Sequence, residues 1–137
     1  MAARAGDGAA LFMQNCLMCH QSGAVGLTGQ FPRLAGRVGI ISSKPAGRAY
    51  LIDVVTNGLA GNIVVDGQPI TGLMPSFAQL PDDVVASILS YVQTLGDAPA
   101  PVPAAFTPDE VKIGRALKSA AEVQEERQVL QRAKAID

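Results

Sequence analysis

Cys16-Leu17-Met18-Cys19-His20 is the stretch on which the reading of this chain turns. Two thiols three residues apart, followed at once by an imidazole, form the CxxCH signal for covalent attachment of a c-type haem. The spacing has a physical reason. On one helical turn both thiols reach the two vinyl groups on one porphyrin edge, and the next residue aims its imidazole at the iron. Thioether bonds then keep a large apolar cofactor in a small protein. Other uses of the same residues fit less well. A thioredoxin-type redox pair needs a βαβ context, whereas helical patterns and Gly-rich loops flank this motif. A zinc site needs four ligands, and Cys16, Cys19 and His20 supply three in a chain with no other Cys or His. Copper held by Cys and Met ligands is the remaining alternative.

The second axial ligand follows by elimination. With one His in 137 residues, two histidines from one chain are excluded, leaving a Met or an open position. Met1 is terminal, and Met13 and Met18 lie too close to His20 to cross to the opposite haem face. Met74, in Gly72-Leu73-Met74-Pro75, follows His20 by 54 residues, ample to wrap around a porphyrin. Its bland alternative is ordinary core packing.

Working outward, residues 5–20 pattern as a helix with Asp7 as N-cap. Residues 21–47 carry six glycines and two prolines and are expected as loop. Tyr50, Leu51, Val54 and Val55 make a helical face over 48–57, which Asn57-Gly58 stops. Residues 59–80 are expected to be irregular, with a short strand or hairpin turn at Ile63-Val64-Val65-Asp66-Gly67. Residues 81–95 are the clearest core helix, opened by Pro81-Asp82-Asp83 and ended by Gly96. DAPAPVPAA over 97–105 is a semi-rigid linker. Thr107-Pro108-Asp109-Glu110 then starts a polar helix expected to run to about 135. The division is thus a haem domain at 1–96, a linker at 97–106 and a helical extension at 107–137. Packing of that extension on its own core, and docking to a partner subunit or a second copy, are both compatible with its apolar stripe.

Composition removes whole classes. Eleven basic residues against twelve acidic ones give a net charge of −1, which leaves no basic face for nucleic acid. No apolar run approaches the ~20 residues of a membrane span. Met1-Ala2-Ala3-Arg4 lack the apolar segment of a signal peptide, so the numbering is read as starting after an exported precursor was trimmed.

Taken in order, several pieces resemble the class I bacterial cytochromes c. They are Gly8 and Phe12, the CxxCH motif, Phe31-Pro32-Arg33-Leu34-Ala35-Gly36, Tyr50-Leu51-Ile52-Asp53-Val54-Val55, Gly72-Leu73-Met74-Pro75-Ser76-Phe77 and Ile88-Leu89-Ser90-Tyr91-Val92. The resemblance spans about residues 5–96. It implies an all-α cytochrome c fold, helices wrapped round one covalently bound haem c, here followed by a helical extension. It implies that Gly8 and Phe12 cross the last core helix at Tyr91. It gives the Pro32 carbonyl to the His20 imidazole, a bond that fixes tautomer and basicity. Propionate partners in the family are Arg, Tyr, Trp or amides. With no Trp here, Arg33, Arg37, Arg48 and Tyr50 are the candidates.

Two strong axial ligands leave no site for substrate, and a thioether favours Fe(II). Leu34, Leu51, Val54, Ile70, Leu73, Phe77, Ile88 and Leu89 are expected to line an apolar pocket. The chain has no obvious nucleophile–base pair, so it reads as an electron carrier rather than an enzyme. The subfamily it looks most similar to, the small cytochrome subunits of periplasmic dehydrogenases, implies a periplasmic protein. Its electrons would come from a dehydrogenase and pass to a terminal oxidase or another cytochrome. A haem enzyme or gas sensor with a labile Met74 ligand is the alternative. Residues 1–106 contain a single Lys, Lys44, so long-range steering is weak. An apolar docking face around Cys16, Leu17, Met18 and Met74 is expected instead.

Overall fold

The computed structural model describes residues 7–96, 101–134 and 136; Met1 to Arg4 and the first part of the expected linker lie outside them. Gly8–Asn15 form α1, which packs against α5, Asp82–Val92. A Cβ on Gly8 would meet the Ser87 carbonyl oxygen and come within 2.5 Å of the Tyr91 Cβ. Only glycine therefore lets the two backbones cross this closely. One turn on, Phe12 is buried and stacks obliquely on Tyr91, with ring centroids 5.9 Å apart at 54°. These are the three residues that the family resemblance brought together.

The helix expected over 5–20 is broken. Cys16 leaves helical geometry (φ −121°, ψ −21°), and a separate turn, α2, spans Leu17–His20. Asp7 makes no side-chain cap. The Gly-rich region is mostly loop, with a 3₁₀ turn at Ser22–Ala24 and a short α3 at Val38–Ile41. Helix α4, Pro45–Asn57, starts with Pro in its first turn and ends at Gly58.

The all-α expectation needs correction after α4. Leu59–Val65 (β1) and Gln68–Met74 (β2) pair antiparallel, with Leu59 opposite Met74 and Val65 opposite Gln68. The connection is Asp66-Gly67, both with positive φ (54° and 77°), the geometry of a two-residue hairpin turn matched to strand twist. Ile63, Val65 and Ile70 are buried together on one side. The short strand or hairpin turn expected at Ile63–Gly67 is thus a full hairpin over 59–74, in which buried Ile63, Val65 and Ile70 alternate with exposed Asn62, Val64, Pro69 and Thr71.

The expected linker is not free of the core over the residues described. Gln93 Nε2 donates to the carbonyls of Pro103 (3.2 Å) and Ala104 (3.0 Å), and the Phe106 N–H donates to Ser90 Oγ at 2.8 Å. The single long helix expected after it is two helices, α6 at Pro108–Gly114 and α7 at Ala120–Arg132. The first is capped by Thr107 as the sequence predicts. The second has its own capping box, Ser119 with Glu122. The intervening Arg115 turns extended (ψ 124°), and its guanidinium bonds to Asp82 and to the carbonyls of Ala78 and Leu80. Helix α7 lies across α4 and β1. Val111, Val123 and Leu130 are buried in the same core cluster as Phe12, Tyr50 and Leu89.

Candidate functional site

Between α1, α4, α5 and the hairpin lies a cavity of about 860 Å³, within the ~300–1,000 Å³ of cofactor and ligand clefts. Its walls include all eight apolar residues expected there: Leu34, Leu51, Val54, Ile70, Leu73, Phe77, Ile88 and Leu89. Leu59 and Ile63 of β1 join them, a contribution hidden from the sequence as long as this region read as irregular.

Cys16, Cys19 and His20 line the same cavity. The kink at Cys16 and the short α2 form one turn, in which the His20 N–H donates to the Cys16 carbonyl at 2.9 Å. Cys16 and Cys19 are not joined in a disulfide, and both are half-buried. Burial, reinforced by the neighbouring Cys19, pushes the Cys16 thiol up to about 11. A redox CxxC needs the opposite shift, toward thiolate. His20 is buried, and its Nδ1–H donates to the Pro32 carbonyl at 3.0 Å. Loss of solvation lowers its pKa, and the Pro32 bond only partly opposes this. The imidazole is therefore neutral, with Nε2 as the nitrogen available to a metal. The loop is held by the Gly26 N–H donating to the His20 carbonyl (2.8 Å) and by Leu34 and Ala35 N–H groups on the Ala24 carbonyl.

Met74 also lines the cavity, as the last residue of β2 rather than part of an irregular loop. Gly58, with φ +80°, lets α4 turn into β1 beside it; a Cβ there would lie 2.5 Å from the Met74 carbonyl oxygen. The chain after Met74 is fastened to the end of α4. Ser76 Oγ donates to the Thr56 carbonyl (2.8 Å) and the Phe77 N–H to the Val55 carbonyl (2.9 Å). Met18, by contrast, is 91% exposed on α2 itself, two residues from His20. Met1 lies outside the described residues.

The four candidate anion partners separate into two pairs. Arg37 and Tyr50 are buried and line the cavity. Arg33 and Arg48 do not reach it, because other partners hold their guanidinium groups. Arg33 makes a two-point ion pair with Asp66 in the hairpin turn, at 2.8 Å for each bond. Arg48 makes one with Glu110 at 2.7 Å for each bond and lies 3.9 Å over the Phe106 ring. The structure adds a residue not singled out from the sequence, Arg127 of α7. It lines the cavity and its Nη1 donates to the Tyr50 hydroxyl at 2.9 Å. A signal for its burial existed: Arg127 stands four residues after Val123 and three before Leu130, on the buried face of the helix.

The residues present fit a haem. The lining is apolar, a neutral buried imidazole and a thioether share the cavity, and two thiols stand at its edge. The charged exceptions, Arg37 and Arg127, are both cationic, and Tyr50 adds a hydroxyl, as a porphyrin with two carboxylates needs. The chain belongs to the cytochromes c of class I. The family described as "Cytochrome C oxidase, cbb3-type, subunit III" matches residues 3–92. The chain is also 46% identical over 114 residues to cytochrome c-552 of Thermus thermophilus, covering 82% of this chain and 86% of that protein. A second cytochrome c-552, also from Thermus thermophilus, gives the same identity over 82% of this chain and 76% of its own length. As in the family, the cofactor is haem c and the role is electron transfer. No helix among the described residues is long and apolar enough to cross a membrane.

Proposed function

We propose that this chain is a periplasmic one-electron carrier with a single haem c, attached through Cys16 and Cys19 and ligated by His20 and Met74. The observation that carries the reading is the buried His20, its Nδ1 tied to the Pro32 carbonyl, sharing one apolar cavity with Met74. Haem bound there supplies an Fe(II)/Fe(III) couple. The protein's part is to hold both ligands so that little moves between the two states. The carbonyl bond keeps the imidazole oriented. The strand pairing and the Ser76 and Phe77 bonds keep the thioether segment in register. The apolar walls disfavour the extra charge of the oxidised state.

Partners meet the cavity mouth. Met13 (61%), Met18 (91%) and Leu73 (70%) are exposed and border it, which suits contact by apolar surface. The matching family is described by an oxidase subunit, which favours an oxidase as electron acceptor, with a dehydrogenase as donor. A partner subunit or second copy docking on the extension would meet its outer side, where Ile113 and Leu117 are exposed.

The test starts with the holoprotein made where haem attachment operates. Haem should remain bound through denaturing electrophoresis in the wild type and be lost in Cys16→Ala/Cys19→Ala. The oxidised wild type should show the weak absorption near the red end that marks Met–Fe(III), and Met74→Ala should lose it. A wild type that is high-spin and binds CO readily would replace the carrier with the haem enzyme or gas sensor.

A further inference from the structure

Arg127 is 3% exposed and lines the cavity, yet none of the described ion pairs gives it a carboxylate. Its protein contacts are the Tyr50 hydroxyl (Nη1, 2.9 Å) and the Val64 carbonyl (Nη2, 3.4 Å), while its Nε is buried without a hydrogen-bond partner. Burying a cation in that state is costly unless an anion compensates it. The neighbouring carboxylate, Glu126, is turned to Lys118 (3.4 Å). Among the described residues of the cavity wall the only charged ones are Arg37 and Arg127, and both are cationic. Tyr50 lines the same wall: burial raises its phenol, and the Arg127 guanidinium bonded to it, together with the Arg37 charge, opposes that shift. Two guanidiniums and a phenol hydroxyl in a mostly apolar wall, with no carboxylate among its described residues, are built for a carboxylate.

We propose that the C-terminal extension supplies a positioning residue to the cofactor, with Arg127 and Tyr50 together holding one haem propionate. This rests on the haem reading above. The extension is then part of the haem site and not only a brace on its outside. The spacing of Arg127 from Val123 and Leu130 marks its burial, but nothing in the local sequence of α7 marks what its guanidinium would meet there.

The test uses the full-length holoprotein with Arg127→Gln and Arg127→Lys. In Arg127→Gln, loss of the compensating charge should favour the oxidised state. The reduced-to-oxidised ratio at a fixed potential should fall about 3- to 10-fold, a potential lower by about 30–60 mV. The propionate-bending band in the resonance Raman spectrum should shift, while the Met–Fe(III) absorption stays. Arg127→Lys keeps the charge but loses the planar fork, so the potential should be largely rescued and the Raman band should still shift. A lower melting temperature with potential and Raman band unchanged in both variants would make Arg127 a packing residue and overturn the proposal. Should Arg127→Gln not yield holoprotein, the Raman band of Arg127→Lys decides by itself. A wild type without covalent haem would instead sink the haem reading, a separate outcome seen before any variant is made.

Discussion

From Gly8 to Gly96 the chain is organised by short local signals, whereas from Thr107 onward it is organised by contacts made across 33 to 77 residues of sequence. The first region closes around its cavity with apolar side chains and glycine-permitted crossings. The second is fastened by cations. Arg115 holds Asp82, Lys118 holds Asp53 at 2.9 Å, Arg127 holds the Tyr50 hydroxyl, and Arg48 reaches out from α4 to Glu110. Asn57 completes the set, donating to the Ala116 carbonyl and accepting from the Lys118 N–H. The six acidic and six basic residues of 107–137 are thus not a uniform solvated face. Much of the charge pairs with the haem-side region, and Val111, Val123 and Leu130 sink into its core. The difference teaches that a segment with no cofactor motif of its own can still share one core with a motif-rich one.

The sharpest way to break the comparison is Val123→Asp. Val123 is fully buried where α7 crosses α4 and β1, so an unpaired carboxylate there should cost about 3–5 kcal/mol. If the two regions share one core, the thermal transition of the whole holoprotein falls and remains single. If the extension were independent, α7 would detach, become sensitive to protease, and leave the haem-side transition where it was. Leu117→Asp is the matched control. That side chain is fully exposed, and its replacement should move stability by less than about 0.5 kcal/mol.

A smaller effect is expected at the Arg48–Glu110 pair, a two-point ion pair between the regions. Two bonds of 2.7 Å join a guanidinium whose side chain is 15% exposed to a carboxylate that is 32% exposed. Arg48 holds the Glu110 carboxyl below its ordinary range. Removing either partner should cost about 1–3 kcal/mol, and a double-mutant cycle of Arg48→Ala with Glu110→Ala should return a clear coupling. Additive single effects would mean that the pair is decoration and that apolar burial alone joins the regions. Arg48→Lys should not restore stability, since it loses the fork and the face over Phe106.

These contacts also explain what could be read beforehand. The CxxCH turn, the Pro32 carbonyl, the Gly8–Phe12–Tyr91 crossing and α5 follow from residues close in sequence or from a recognisable order of motifs. The hairpin is half legible: Ile63-Val64-Val65-Asp66-Gly67 signals a short strand or turn, but not the second strand through Met74, and the pairing holds because Ile63, Val65 and Ile70 bury one side. Arg33 and Arg48 were plausible anion partners on spacing alone. Whether a guanidinium reaches the cavity depends on a carboxylate 33 or 62 residues away, which no local pattern records. The break in the extension was missed for the same reason: Arg115 leaves helical geometry where it meets Asp82.

The mildest test of the comparison is pH, through the cluster Asp53–Lys118–Glu126 that joins α4 to the extension. Lys118 Nζ lies 2.9 Å from Asp53 and 3.4 Å from Glu126. Burial first, then the hydrogen bond and charge of Asp53, push the Glu126 carboxyl up to about 7 from an ordinary 4.5, and Lys118 only partly opposes them. A carboxyl raised on folding binds its proton more tightly in the folded state. Between pH ~4.5 and ~7 the unfolded chain releases that proton while the folded chain keeps it, so rising pH favours unfolding. The stabilisation is full below the ordinary carboxyl value and is lost as pH climbs through about 7. After screening at this partly exposed site it amounts to about 1–2 kcal/mol. The difference between wild type and Glu126→Gln isolates it, because propionates and other carboxylates titrate in both. Denaturant unfolding from pH 5 to 8 should show the wild type losing stability relative to Glu126→Gln over that window. Parallel curves would mean that Glu126 is ionised throughout and that Lys118 serves both carboxylates equally. The link between the regions would then be ionic over the whole range, with no proton in it.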